Sequence, residues 1–345
     1  MTSLPETQAQ ILLARRPHGV PVAEDFALSR GPVPQPSDVG PGQVLLRQIY
    51  LSLDPAIRGW MNDSRSYLPP IAIGAPVRSG TLSQVVHSSV PEWQPGDLCQ
   101  ALAAWEEYSL VPAQQLMGKI TPVPGIPLSG MLNVLGGNGL TAYFGLYDVG
   151  QPKPGETVLV SAAAGGVGSI VGQLAKLRGC RVVGLTGSDE KCEWLCSELG
   201  FDAALNYKSA NLNQQLKDVC PKGVDVFFDG VGGELLDLVL ARLAMRGRVV
   251  VCGAISEINR TEPGPGLRNV MQLMAKRARM EGFVTLDYAA RYSEAREALA
   301  GYVREGTLKT RDEVVDGLEH APAHLLRLFS GDHRGKLMVK VADPS

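Results

Sequence analysis

The stretch VLVSAAAGGVGSIVGQLAKL, Val158–Leu177, decides the fold. It opens as a short apolar strand and closes as an amphipathic helix that begins near Gly166. Between the two, Ala163, Gly165 and Gly168 keep the Gly-x-Gly-x-x-Gly spacing, with alanine in the first place. Small residues there let the backbone turn tightly and approach a pyrophosphate. The first turn of the helix offers that anion its amides and its positive dipole end. The string alone is a weak signal, but its place between a strand and a helix predicts a dinucleotide site.

Downstream, the same strand-then-helix cycle recurs: CRVVGLTG then DEKCEWLCSELG, DAALNY then ANLNQQLKDVC, VDVFFDG then GELLDLVLARLAMRG, and on through RVVVCGA and RMEGFV. Parallel strands need crossover connections, so this alternation predicts an α/β fold with a doubly wound parallel sheet of Rossmann type. Upstream, strand-like runs such as QVLLRQIYLSL and GTLSQVVHSSV are separated by turn signals, VGPG and WQPGD, which reads as an all-β unit. After a helix around 292–304 the tail GKLMVKV reads as a strand that returns to the first domain. The expected domains are therefore 1–131, β; 132–307, Rossmann and dinucleotide-binding; and 308–345, a C-terminal segment rejoining the first.

A chain of 345 residues, 45% hydrophobic and 20% charged, supports about two folded domains. A net charge of −2 without a long basic run argues against nucleic acid or an anionic membrane as partner, and for a small molecule. No run reaches the ~20 apolar residues of a membrane helix, and ILLA near the start is too short for a signal sequence, so the expected location is cytoplasmic. Six scattered cysteines do not suggest a disulfide framework.

The second strand of the cycle tells the two nicotinamide cofactors apart. An acid at its end would accept from the ribose 2′-hydroxyl of NAD. Here RVVGLTG ends in Thr186, Gly187 and Ser188, and Lys191 follows in the next turn, which favours the extra phosphate of NADPH. Asp189 is the ribose acid if the strand runs further than this reading has it.

Metal chemistry finds no footing. The first 130 residues hold Cys99, His18 and His87 without the close spacing of zinc ligands, while His320 and His324 read as an exposed helical pair; no metal is expected. The Gly-x-Ser-x-Gly elbow of a hydrolase is missing too. Hydride transfer asks mainly for positioning and for hydrogen-bond donors where negative charge develops.

With those residues read, the chain resembles the zinc-independent medium-chain dehydrogenase/reductases, in the group of leukotriene B4 12-hydroxydehydrogenase/prostaglandin reductase, plant double-bond reductases and bacterial curcumin reductase. The likeness rests on LSLDPAIRGWM at 51–61, SYLPPI at 66–71, the 139–169 segment, NYK at 206–208, FFDGVGGE at 227–234, VCGAIS at 251–256, EGFV at 281–284 and GKLMVKV at 335–341. It implies a GroES-like β domain joined to a Rossmann domain, a homodimer, and NADPH-dependent reduction of the carbon–carbon double bond of α,β-unsaturated aldehydes and ketones. It places the pyrophosphate on Gly165, Gly166, Val167 and Gly168, the 2′-phosphate on Lys191 and Tyr207, and the nicotinamide against Cys252, Gly253, Ala254, Phe283 and Val284.

Departures fall on the substrate side and beside the cofactor. Where the family often has Tyr-Asn after VCGxIS, this chain has Glu257, Ile258 and Asn259, so that family tyrosine is gone. Gly230 stands for an asparagine near the cofactor, His333 for one in the tail, and Ala56 and Ile57 for Tyr-Met. The donor to the substrate oxygen is then sought among other tyrosines: Tyr67 first, followed by Tyr50 and Tyr288. Quinone reduction with the same cofactor geometry and NADPH binding without turnover are the competing functions.

Overall fold

The computed structural model describes residues 4–345; positions 1–3, where the expected first domain begins, lie outside the described residues. The chain divides into two compact units. One holds the chain up to Leu132 with Asp312–His333 and Leu337–Ser345, and the other holds Asn133–Arg311 with Arg334–Lys336.

In the second unit six parallel strands lie in the order Ala203–Asn206, Arg181–Thr186, Thr157–Val160, Val224–Asp229, Leu243–Val251 and Arg279–Gly282. Helices Gly166–Leu177, Asp189–Ser197, Leu212–Val219 and Gly233–Leu240 stand between successive strands in the chain. Val158, Leu159 and Val160 are fully buried, as a strand covered on both faces must be. The first three strands run outward in one direction, and Val224–Asp229 then returns to the other side of Thr157–Val160. This reversal is the switch point, where open α/β sheets bind ligands at the carboxyl ends of their strands.

One element differs from the sequence reading. GELLDLVLARLAMRG is helical only over Gly233–Leu240, and the chain rejoins the sheet at Leu243. The Val224 amide donates to the Arg242 carbonyl (2.9 Å), so pairing begins before the irregular Arg246–Gly247 step, where Arg246 takes a left-handed φ of 61°. The register slips between Val224 and Val226 to accommodate it.

The first unit is built on a seven-stranded sheet in the order Asp312–Asp316, Lys336–Lys340, Gln43–Ser52, Arg78–Ser88, Leu98–Ala104 and Leu116–Ile120, with Tyr108–Pro112 also paired to Gln43–Ser52. It is antiparallel from Lys336–Lys340 onward, and a separate antiparallel pair joins Thr7–Leu13 to Phe26–Pro32. Leu318, Leu325, Leu337 and Val339 of the tail are buried in one cluster with Leu51, Leu53, Trp60 and Trp105. At roughly 1.5–3 kcal/mol for each buried aliphatic side chain, those four tail residues hold the C-terminal segment to this unit.

Candidate functional site

The site is built around the loop that leaves the central strand of the parallel sheet. Ala162 turns the chain with a left-handed φ of 48°, a conformation that favours glycine. The Gly165 amide donates to the Ala162 carbonyl (2.9 Å), and Gly165 caps the twelve-residue helix Gly166–Leu177. The amides of Gly166, Val167 and Gly168 open that helix and have no preceding turn to bond to. A Cβ on Gly168 would lie 2.5 Å from the Ala162 carbonyl oxygen and 2.8 Å from Ala163 Cα, so helix and strand meet this closely only without one. Ala163, in the first-glycine place, is accommodated by a glycine opposite: a Cβ on Gly184 would come 3.1 Å from the Ala163 methyl. The tail braces the loop, Gly335 donating to the Ala164 carbonyl (2.8 Å). Bare backbone at a helix N-terminus fits the pyrophosphate of a dinucleotide.

Two further strand ends join this loop through Asp229, which is fully buried. Its carboxylate accepts from Ser161 Oγ (2.7 Å) and from the amides of Val231 (3.0 Å) and Gly232 (3.1 Å), while its carbonyl accepts from the amides of Cys252 (2.8 Å) and Gly253 (3.2 Å). Burial raises the carboxyl above its ordinary range even with these bonds opposing the shift. Burial, with the Asp229 charge adding to it, pushes the Cys252 thiol up to about 12. Ser256 closes the next step, donating through its amide (3.0 Å) and Oγ (2.8 Å) to the Val231 carbonyl. Gly230, where the family carries asparagine, has room for a side chain: a Cβ there meets only Ala162 Cβ within 4 Å, at 3.9 Å. Phe283 lies edge-on to Phe228 and Tyr288, in space left by Gly145, whose Cβ would come 2.5 Å from the Phe283 ring. Val284 follows it and caps the Thr285–Arg291 segment.

At the ribose end, the strand stops at Thr186 and Ser188 caps the next helix, its hydroxyl accepting from the Lys191 amide (3.4 Å). Asp189 lies beyond the strand end, in the first turn of that helix, and its carboxylate is taken by Asn206 Nδ2 (3.0 Å). Tyr207 sets its hydroxyl over Gly187, where a Cβ would stand only 2.9 Å from it. Arg334 comes from the tail to pair with Glu190.

The three tyrosines fall in different settings, Tyr50 and Tyr67 in the first unit and Tyr288 in the second. Tyr67 is 53% exposed, on the Asp63–Pro70 loop that lines a cavity of about 420 Å³. It meets Trp60 edge-on (6.1 Å); the Arg78 guanidinium lies over that indole (5.4 Å) and donates to the Pro69 carbonyl (2.5 Å). Tyr50 is a ladder residue opposite Lys340 and Leu82, and burial raises its phenol while Lys340 opposes the shift. Tyr288 stacks on Phe144 (4.6 Å) and is likewise raised by burial. In place of the family's Tyr-Asn, Glu257 is ion-paired with Arg260 (2.9 Å) and Ile258 follows it. His333 bonds through Nδ1 to the Arg327 carbonyl (3.2 Å). Among the described residues no group of three or more His, Cys, Asp or Glu could hold a metal ion, and the rings of His320 and His324 lie edge-to-face at 6.4 Å.

The sequence reading missed Ser161, Asp229, Arg334 and Gly335. A signal for Asp229 was present: an acid that ends the apolar run VDVFF at the carboxyl edge of a central strand is not there for packing.

The descriptions of the family models agree with this architecture. An N-terminal domain of oxidoreductase matches residues 9–118, and a zinc-binding dehydrogenase model matches 166–301. The chain is 44% identical over 336 residues to the NADPH-dependent curcumin reductase of Escherichia coli, covering 96% of each. It is 40% identical to the NADP(+)-dependent 2-alkenal reductase of Nicotiana tabacum, over 96% of this chain and 97% of that one. CurA from Vibrio vulnificus, solved in complex with NADPH, superposes with a TM-score of 0.90 at 40% identity over 97% of this chain and 100% of that one. No helix among the described residues is long and apolar enough to cross a membrane. The chain belongs to the zinc-independent medium-chain dehydrogenase/reductases, in the NADP-dependent group that holds the curcumin, alkenal and prostaglandin reductases.

Proposed function

We propose that this chain is an NADPH-dependent reductase of the carbon–carbon double bond in α,β-unsaturated aldehydes and ketones. The observation that carries the cofactor half is the ribose end of the cleft. Lys191 and the Tyr207 hydroxyl stand beside a strand that ends without an acid, and Asp189 lies beyond that end, in the next helix, with Asn206 Nδ2 on one of its oxygens. A cation and a hydroxyl suit a 2′-phosphate better than a free 2′-hydroxyl. The substrate half is supported by the relatives, whose names give curcumin and 2-alkenals as what they reduce.

Bound NADPH supplies a hydride to the β-carbon of the substrate. The chain's own work is to hold that geometry and to meet the charge it creates. The amides of Gly166, Val167 and Gly168 would seat the pyrophosphate, Lys191 and Tyr207 would hold the 2′-phosphate, and Cys252, Gly253, Ala254, Phe283 and Val284 would border the nicotinamide. What the chain must then meet is negative charge on the substrate's carbonyl oxygen and the delivery of a proton to the α-carbon. Tyr67 donates to that oxygen, since a phenol on an exposed, cavity-lining loop both gives a hydrogen bond and passes a proton.

A homodimer belongs to the same reading. The edge strand Arg279–Gly282 is exposed, Met280 within it included, and Met271 and Met274 of the helix Met271–Lys276 before it are exposed as well. Sedimentation of the purified chain tests that part.

The deciding experiment follows NADPH oxidation with a panel of enals, enones and quinones. Fast turnover of the enals and enones supports the proposal. Preference for quinones replaces it with a quinone reductase, and tight NADPH binding with no acceptor turned over leaves a binding protein.

A further inference from the structure

Three strand ends meet at one buried residue, Asp229, two of them through its carboxylate and the third through its backbone carbonyl, and the mechanism above gives its side chain no task. Asp229 Oδ1 takes the Ser161 hydroxyl (2.7 Å), and the same Ser161 Oγ accepts from the Gly230 amide (2.9 Å). Ser161 is the last residue before the left-handed Ala162 that starts the pyrophosphate loop. Asp229 also takes, through its backbone carbonyl, the amides of Cys252 and Gly253, which begin the nicotinamide border. Both side chains are buried, Ser161 at 2% and Asp229 at 0% exposure, so water does not substitute for either partner. A core that needed only stability would fill this place with an apolar pair; a buried acid with directed bonds sets positions instead.

We propose that Ser161 and Asp229 are positioning residues that fix the pyrophosphate loop against the nicotinamide border, so that a dinucleotide binds across both as one rigid seat. The proposal rests on the dinucleotide-binding reading of this cleft. It assigns the pair to the part of the cofactor that NADPH and NADH share, since the groups that read the 2′-phosphate stand on the neighbouring strand end, at Gly187, Lys191 and Tyr207. Cutting the clasp should therefore weaken both cofactors by one factor. Cys252 is the titratable neighbour of Asp229, its thiol pushed up to about 12 by burial, and the Asp229 carboxyl is itself raised by burial against the bonds it accepts from Val231, Ser161 and Gly232.

The test titrates NADPH and NADH into the full-length chain and into Ser161→Ala, Asp229→Asn and the double variant, with thermal unfolding of each. Ser161→Ala is expected to raise both dissociation constants about tenfold and leave their ratio unchanged, with the loss in turnover falling on KM for the cofactor more than on kcat. Asp229→Asn keeps an oxygen for Ser161 and Val231 but turns an amide toward the Gly232 N–H, and it should weaken both cofactors in the same proportion. The double variant should lose more than either single one, because Asp229→Asn keeps an oxygen for Ser161 and acts on a different bond of the same cluster. Folded single variants that bind both cofactors like wild type, or that lose NADPH alone, overturn the inference while the cofactor reading stands. A wild-type chain that binds neither cofactor overturns both. If Ser161→Ala does not fold, Asp229→Asn decides on the ratio by the same criteria.

Discussion

The pyrophosphate seat at Gly165–Gly168 and the Tyr67 loop carry the two halves of the proposed reaction and are built in opposite ways. The seat is backbone at a helix terminus, packed so closely that a Cβ on Gly168 collides with main-chain atoms, and Ser161, just before its loop, is bonded to a fully buried acid. The Asp63–Pro70 loop offers side chains around an open cavity, with Tyr67 more than half exposed. A phosphate is the same in every dinucleotide, so its seat tolerates little change. An acceptor differs from enzyme to enzyme, and a loop held by a few contacts, Trp60 and Arg78 among them, can be rewritten without touching the cofactor.

Gly168→Ala should break the first half most severely. Its Cβ would press on the Ala162 carbonyl and Ala163 Cα, both backbone, so the loop or the helix must move. Losing two or more directed bonds to the phosphates, at about 1.5–3 kcal/mol each, predicts a fall of at least about a hundredfold in affinity for NADPH and NADH alike. Calorimetric titration measures it, and near-native affinity would mean that the cofactor sits elsewhere.

Lys191→Ala divides the seat from the ribose end. One charge-assisted bond lost predicts NADPH weakened about tenfold to a hundredfold with NADH nearly unchanged, and added salt should narrow the wild-type preference by screening the same charge. Equal weakening of both cofactors would hand the ribose to Asp189 or another group.

The same contrast explains what could be read from the chain alone. The alternation of strand and helix and the Ala163, Gly165, Gly168 spacing are local patterns, and the parallel sheet and the strand–loop–helix at 158–177 are where they predict. The early end of the Gly233–Leu240 helix was not legible, because Leu243, Ala244 and Met245 suit a helix and only pairing with Val224 draws the chain into the sheet. Nor was the Ser161–Asp229 bond, which joins positions 68 residues apart. The order Tyr67, Tyr50, Tyr288 was set from the sequence, whereas their surroundings, Tyr288 stacked in an aromatic cluster and Tyr50 in a sheet ladder, are set by distant partners that no spacing rule reveals.

On the acceptor side, Tyr67→Phe should lower kcat about tenfold, the value of one hydrogen bond to developing charge when water can still bring the proton. Cofactor affinity should stay at its wild-type value, which separates this loop from the seat. Tyr50→Phe and Tyr288→Phe, made in parallel, are expected to leave kcat within about twofold, since each phenol serves packing. A larger loss at either one than at Tyr67 would move the donor.

The smallest change sharpens the comparison from the cofactor side. Gly230 stands where relatives place an asparagine; its φ is not left-handed, and a Cβ there would meet only the Ala162 methyl, in ordinary contact at 3.9 Å. A Cβ at Gly230 therefore meets no clash, and replacing a glycine at a compatible position stabilises a fold by about 0.4–1 kcal/mol. The restored amide adds a neutral hydrogen bond beside the pyrophosphate loop, so NADPH and NADH should both bind a few-fold more tightly, consistent with roughly 0.5–1.5 kcal/mol. Turnover of a given enone should change through KM for the cofactor and leave the ranking of acceptors as it was. If the ranking shifts, the segment after Asp229 takes part in choosing the substrate, and the division between a fixed cofactor seat and a variable acceptor loop fails at this residue.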